Sequence, residues 1–105
     1  MNRLERHEAA QRHSRALREE QGARTLSFST TEVVDYLAVY PLIPSGGVEI
    51  VAVEIKTGES RLSPRQKEWV EQPALDTYVE FWELHHGEWV LRKVEEHLRI
   101  NAEHP

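Results

Sequence analysis

Residues 48–72, VEIVAVEIKTGESRLSPRQKEWVEQ, hold a strand, a sharp turn and a helix start in one continuous run. The apolar, β-branched segment Val48-Glu49-Ile50-Val51-Ala52-Val53 is too short to span a membrane and reads as a strand buried on both faces. Glu54, Lys56 and Thr57 add polar groups to it, and Gly58 ends it, so the strand covers 48–57. Ser63 is a good N-cap and Pro64 suits the first helical position. A helix therefore runs from Pro64 to about Gln72 and stops before Pro73. Glu54 and Lys56, two residues apart, share one face of the strand. Placing that pair on a central strand is costly unless it is partnered or used, which marks both residues as candidates for a site.

Upstream, residues 33–42, VVDYLAVYPL, read as a strand with Pro41 near its end. Residues 43–47, IPSGG, form a turn. An antiparallel hairpin centred between Pro44 and Ser45 sets Asp35 opposite Glu54, with their Cβ atoms about 5 Å apart. Like charges so placed repel unless a cation or a proton lies between them. A slip of one residue would send the two carboxylates to opposite faces. In the unslipped register Asp35, Glu54 and Lys56 gather in one cluster.

The remaining elements follow from their punctuation. Residues 3–21 read as a helix, capped by Asn2 and ended by Gly22, with Ala9, Ala10, His13, Ala16 and Leu17 on its packing face. Residues 25–29, TLSFS, are a short strand. Residues 77–84 and 89–94 are strands joined by the turn His85-His86-Gly87-Glu88. Glu95 onward reads as a short helix. The expected fold is one α/β domain over residues 1–105, with a mixed sheet of about five strands flanked by helices in the order α-β-β-β-α-β-β. His13 reads as a boundary residue and His85 and His86 as an exposed turn. Trp82 and Trp89 read as core or cross-strand partners, and their strands either hold a dimer interface or lie under the helices.

The chain has 105 residues, a formal net charge of −5 and no cysteine. Disulfides and thiolate metal sites are thereby excluded. No apolar run reaches the roughly 20 residues of a membrane span. The first residues lack the apolar core of a signal peptide. These features predict a cytoplasmic protein with no membrane partner. The acidic total carries no general signal for nucleic acid. Arg61, Arg65 and Lys67 nevertheless form a run without acids directly after the Glu54/Lys56 strand, and such a patch can meet phosphate despite the total.

Two facing carboxylates make an oxygen-rich site for a hard divalent cation such as Mg²⁺ or Mn²⁺. A nearby lysine suits phosphodiester hydrolysis, because it can orient a water or stabilise charge developing on phosphorus-bound oxygens. The run Val33-Val34-Asp35, the hairpin, VAVEIKTG (51–58) and RLSPRQKEW (61–69) together resemble the PD-(D/E)xK nuclease superfamily. Within it they are most similar to small Holliday-junction-resolvase-like and VRR-NUC-type nucleases. The resemblance covers roughly residues 33–72 and implies a restriction-endonuclease-like core and a Mg²⁺-dependent DNA endonuclease acting as a homodimer. It implies Asp35 and Glu54 as metal ligands, a backbone carbonyl of Ile55 as a further ligand, Lys56 as the catalytic lysine and Gln66 as a supporting residue. Gln66 also completes a capping box with Ser63. Val34 stands where the motif has proline, and the first-helix glutamate of the family is to be sought at Glu5 or Glu8. Two other readings stay open: a catalytically silent nuclease-like fold serving as a binding or assembly module, and an unrelated α/β domain.

Overall fold

Val48–Thr57 is the middle strand of a five-stranded sheet. In the computed structural model, which describes residues 1–28, 33–58 and 61–99, the elements are α1 (Arg3–Glu20), β1 (Arg24–Ser27), β2 (Tyr36–Pro41), β3 (Val48–Thr57), α2 (Pro64–Glu71), β4 (Asp76–His85) and β5 (Glu88–His97). This is the order expected from the sequence. The strands lie side by side in chain order, all neighbours antiparallel except the parallel pair β3 and β4. A parallel pair needs a crossover connection, and the segment carrying α2 supplies it. Ser63 and Gln66 form the expected capping box, with Pro64 in the first turn.

β3 is buried on both faces only from Val51 to Ile55, while Val48, Glu49 and Ile50 are exposed. The helices explain the difference. α1 packs on one face, where Ala10 joins Tyr36, Ala38, Val51, Val53, Ile55 and Trp82 in the core. α2, only 8 residues long, covers the other face locally; its Trp69 Nε1 donates to Thr77 Oγ1 at 2.8 Å, and Thr77 pairs with Ala52. The start of β3 lies beyond that cover.

The packing face of α1 differs from the apolar face read in the sequence. Ala9, Ala10 and Ser14 are buried, whereas His13 and Ala16 are exposed and Leu17 is 45 % exposed. The sheet beneath α1 explains this turn of the helix. Glu80, 5 % exposed, points under it from β4, and a buried carboxylate is tolerated only with partners. Ser14 Oγ donates to Glu80, Arg18 donates at 2.9 Å and Trp82 Nε1 at 3.0 Å. With the Ser14 proton committed to Glu80, the Tyr36 hydroxyl is the donor to Ser14 Oγ at 2.5 Å. Burial pushes that phenol up to about 12, which keeps it protonated. Arg18 also donates to the Tyr40 hydroxyl at 2.9 Å. Polar pairing, not apolar area, sets the rotation of this helix.

One further expectation is corrected. No helix starts at Glu95: Val94, Glu95, Glu96 and His97 continue β5 and pair with Glu80, Val79, Tyr78 and Thr77. The ladder offered by the full length of β4 outweighs the local helical tendency of VEEH. Of the two readings of the tryptophan strands, cover by a helix holds for Trp82, which lies in the core beneath α1, and Trp89 packs partly buried against the same core. No helix among the described residues is long and apolar enough to cross a membrane.

Glu80→Ala leaves Arg18, Ser14 and Trp82 without their shared acceptor and should cost about 3 kcal/mol in urea unfolding. Leu17→Ser on the outer side of α1 should change stability by less than about 0.5 kcal/mol. The reverse ranking would restore the apolar face as the packing face.

Candidate metal centre

The β2–β3 hairpin has the register that brings the acids together. Tyr36 pairs with Val53, Leu37 with Ala52 and Ala38 with Val51. One step further, Asp35 stands against Glu54. The ladder ends there: the Asp35 N–H donates to the Val53 carbonyl at 2.9 Å, and Asp35 Oδ2 accepts the Ile55 N–H at 2.6 Å. The Asp35 carboxylate thus takes the place a strand carbonyl would have held beside Ile55.

Glu54, 5 % exposed, has a carboxylate oxygen within 4.8 Å of one on Asp35. Lys56 Nζ lies 3.8 Å from Glu54 Oε1 and donates to Gln66 Oε1 at 2.9 Å. Gln66 forms the expected capping box and, through the same oxygen, meets Lys56. Its Oε1 also accepts the Ser63 N–H at 2.9 Å, and its Nε2 donates to the Val33 carbonyl at 3.3 Å. The cap of α2 therefore also locks Lys56 and ties α2 to the segment that leads into Asp35.

α1 contributes a residue that was not anticipated. Glu5 is spent in the capping box, where its N–H donates to Asn2 Oδ1 at 2.8 Å, and Glu8 is exposed. The side chain that reaches the acids is His7, whose Nε2 lies 3.1 Å from Asp35 Oδ2. One ligand atom each from His7, Asp35 and Glu54 lie within 4.8 Å of one another. His7 is on the Ala10–Ser14 side of α1, so the misjudged rotation of the helix hid it. A search of the true packing face for any nitrogen or oxygen donor, rather than for glutamate alone, would have found it.

Burial, and then the charge of Asp35, push the Glu54 carboxyl up to about 9; Lys56 and Gln66 oppose this. For Asp35, burial alone would raise the pKa, but hydrogen bonds from His7, the Ile55 N–H and Glu54 outweigh it and hold the group below the usual range. The hydrogen bond to Asp35 raises His7, with a further contribution from bonding to the Ile55 backbone. Of the two carboxyls, Glu54 is the one that burial and its neighbour push toward the protonated form, and Asp35 the one held ionised. Lys56, 3.8 Å from Glu54, and His7, 3.1 Å from Asp35, are the positive groups beside the pair. A mixed set of two carboxylates and an imidazole, with one ligand atom from each within 4.8 Å of the others, fits a divalent cation.

The basic residues expected to follow the site divide. Arg61 lines the cavity that contains Glu54, Lys56 and His7. Arg65 lines a separate recess of about 340 Å³ with Val33, Glu68 and Trp69. Lys67 is exposed on α2. His85 and His86 stack edge to face at the β4–β5 turn, outside the cluster. Comparisons with protein-family models, curated proteins and solved structures return no match, so the site stands on its own geometry.

Because the folded pKa of Glu54 lies above its unfolded value, its stabilising effect is complete below about pH 4.5 and lost as pH rises toward about 9. In EDTA, the melting temperature of the parent relative to Glu54→Gln should therefore fall across that window. Saturating Mn²⁺ should raise the parent melting temperature, and more so at higher pH, where fewer protons must be displaced. A flat difference and no Mn²⁺ shift would remove the site.

Proposed function

We propose that the protein is a metal-dependent nuclease of the PD-(D/E)xK type that hydrolyses DNA phosphodiester bonds. The observation that carries this reading is the joint placement of Asp35, Glu54 and Lys56: two facing carboxylates, and an ammonium on the same face held by Gln66. Asp35, Glu54 and His7 would hold the ion, and the motif resemblance adds the Ile55 carbonyl. A bound Mg²⁺ or Mn²⁺ supplies Lewis acidity toward a phosphoryl oxygen and lowers the pKa of a coordinated water. Lys56 gives one of its three protons to Gln66 and keeps the others for oxygens on which charge develops. Asp35, fixed by the Ile55 N–H, cannot swing away when Glu54 loses its proton. His7 bridges α1 to this centre, so the helix helps fix the position of the acids.

DNA, and branched DNA among its forms, is the substrate that the motif resemblance suggests. A homodimer and a cytoplasmic location belong to the same proposal. The mass in solution tests the first of these.

Labelled four-way junction, linear duplex and single strand should be offered with Mg²⁺ or Mn²⁺. At least one is expected to be cut, and Lys56→Ala and Glu54→Gln should each slow cutting by about 100-fold or more. A folded parent that binds metal yet cuts none of them would contradict the proposal and favour a silent nuclease-like binding module.

A further inference from the structure

The cavity over the candidate centre has a volume of about 400 Å³, and its floor includes His7, Glu54 and Lys56. Its two walls come from separate parts of the chain. Arg3 and Leu4 belong to the first turn of α1, and Arg61 lies after the turn that ends β3. Three cationic side chains, Arg3, Lys56 and Arg61, therefore line a space that holds one carboxylate, in a protein whose formal net charge is −5. Among the described residues no carboxylate is within ion-pair distance of Arg3 or Arg61.

Four other arginines of these segments, Arg12, Arg15, Arg18 and Arg65, are differently engaged. Arg18 is paired with Glu80 beneath α1. Arg12 and Arg15 line a recess together with Glu19 and Glu20. Arg65 shares its recess with Glu68. The N-terminal N–H groups of α1 are already served by the Asn2–Glu5 capping box. An anion in the cavity would thus be gripped by side chains, not by the helix end.

We infer that Arg3 and Arg61 clamp the phosphates on either side of the one presented to Lys56, so that each chain grips a single nucleic-acid strand over about three phosphates. The proposal rests on the nuclease reading for the identity of the central phosphate; the clamp itself is a binding property. Its footprint sets a number. Each phosphate contact to a single strand contributes about −0.7 to the slope of log K against log salt, so three contacts give about −2. A protein that grips duplex along 6–10 phosphates would show roughly −5 to −9.

The experiment is fluorescence anisotropy of a labelled single strand of about six nucleotides, short enough to engage one cavity. Ca²⁺ replaces Mg²⁺ to suppress cutting. The parent is compared with Arg3→Gln, Arg61→Gln and, as a control in the acid-balanced recess, Arg12→Gln. All three positions are exposed, so the variants should fold. The parent slope should be about −2, and Arg3→Gln and Arg61→Gln should each weaken binding by about tenfold and reduce the slope by about 0.7. Arg12→Gln should match the parent. The inference is overturned by a parent that does not bind, by either clamp variant binding like the parent, or by a parent slope steeper than about −5. If the clamp variants behave as expected while the parent cuts nothing with Mg²⁺ or Mn²⁺, the nuclease reading fails and the clamp stands. If the parent cuts but the clamp variants bind and cut as it does, the clamp fails and the nuclease reading stands.

Discussion

Two carboxylates forced into contact by the register of a hairpin constrain everything around them. Asp35 and Glu54 meet because β2 and β3 pair Tyr36 with Val53. At that depth of burial their like charges repel, and the positive groups at hand are Lys56 beside Glu54 and His7 beside Asp35. The surroundings are arranged unequally. Asp35 receives the Ile55 N–H and the His7 ring, while Glu54, more deeply buried, is pushed toward the protonated form. The close approach of His7, Asp35 and Glu54 ligand atoms is the physical link from fold to the proposed chemistry.

The rest of the structure supports this arrangement from two sides. On one face α2 fixes Lys56 through the same glutamine that caps the helix, so a change to the cap would also release the lysine. On the other face the Glu80 network sets the rotation of α1 and thereby brings His7 to Asp35. Glu80 is distant from the proposed chemistry along the chain and makes no contact with the acids in the observed hydrogen bonds. Its role is to orient the helix that carries His7.

Local patterns made much of this legible in the sequence. The β-branched run closed by Gly58, the Ser63-Pro64 helix start and the turn centred between Pro44 and Ser45 each depend on neighbouring residues alone. The hairpin register followed from the turn centre, and it placed Asp35 against Glu54. The rotation of α1 was hidden because it depends on Glu80 and Tyr36, which are remote in sequence, and because Ser14 and Arg18 do not read as packing residues. His7 was hidden with it. The end of β5 was misread because VEEH is locally compatible with a helix, and only the length of β4 makes it a strand. The basic run after β3 read as one patch, yet the turn of α2 separates Arg61 from Arg65 and Lys67.

The central claim is that His7, Asp35, Glu54 and the Ile55 carbonyl together hold a divalent cation. Anomalous diffraction from crystals soaked in Mn²⁺ tests it most directly. The account predicts one strong peak in contact with the Asp35 and Glu54 carboxylates, the Ile55 carbonyl and the His7 ring. Crystals that show no peak between Asp35 and Glu54, at a pH where both are ionised and with manganese in excess, would contradict it.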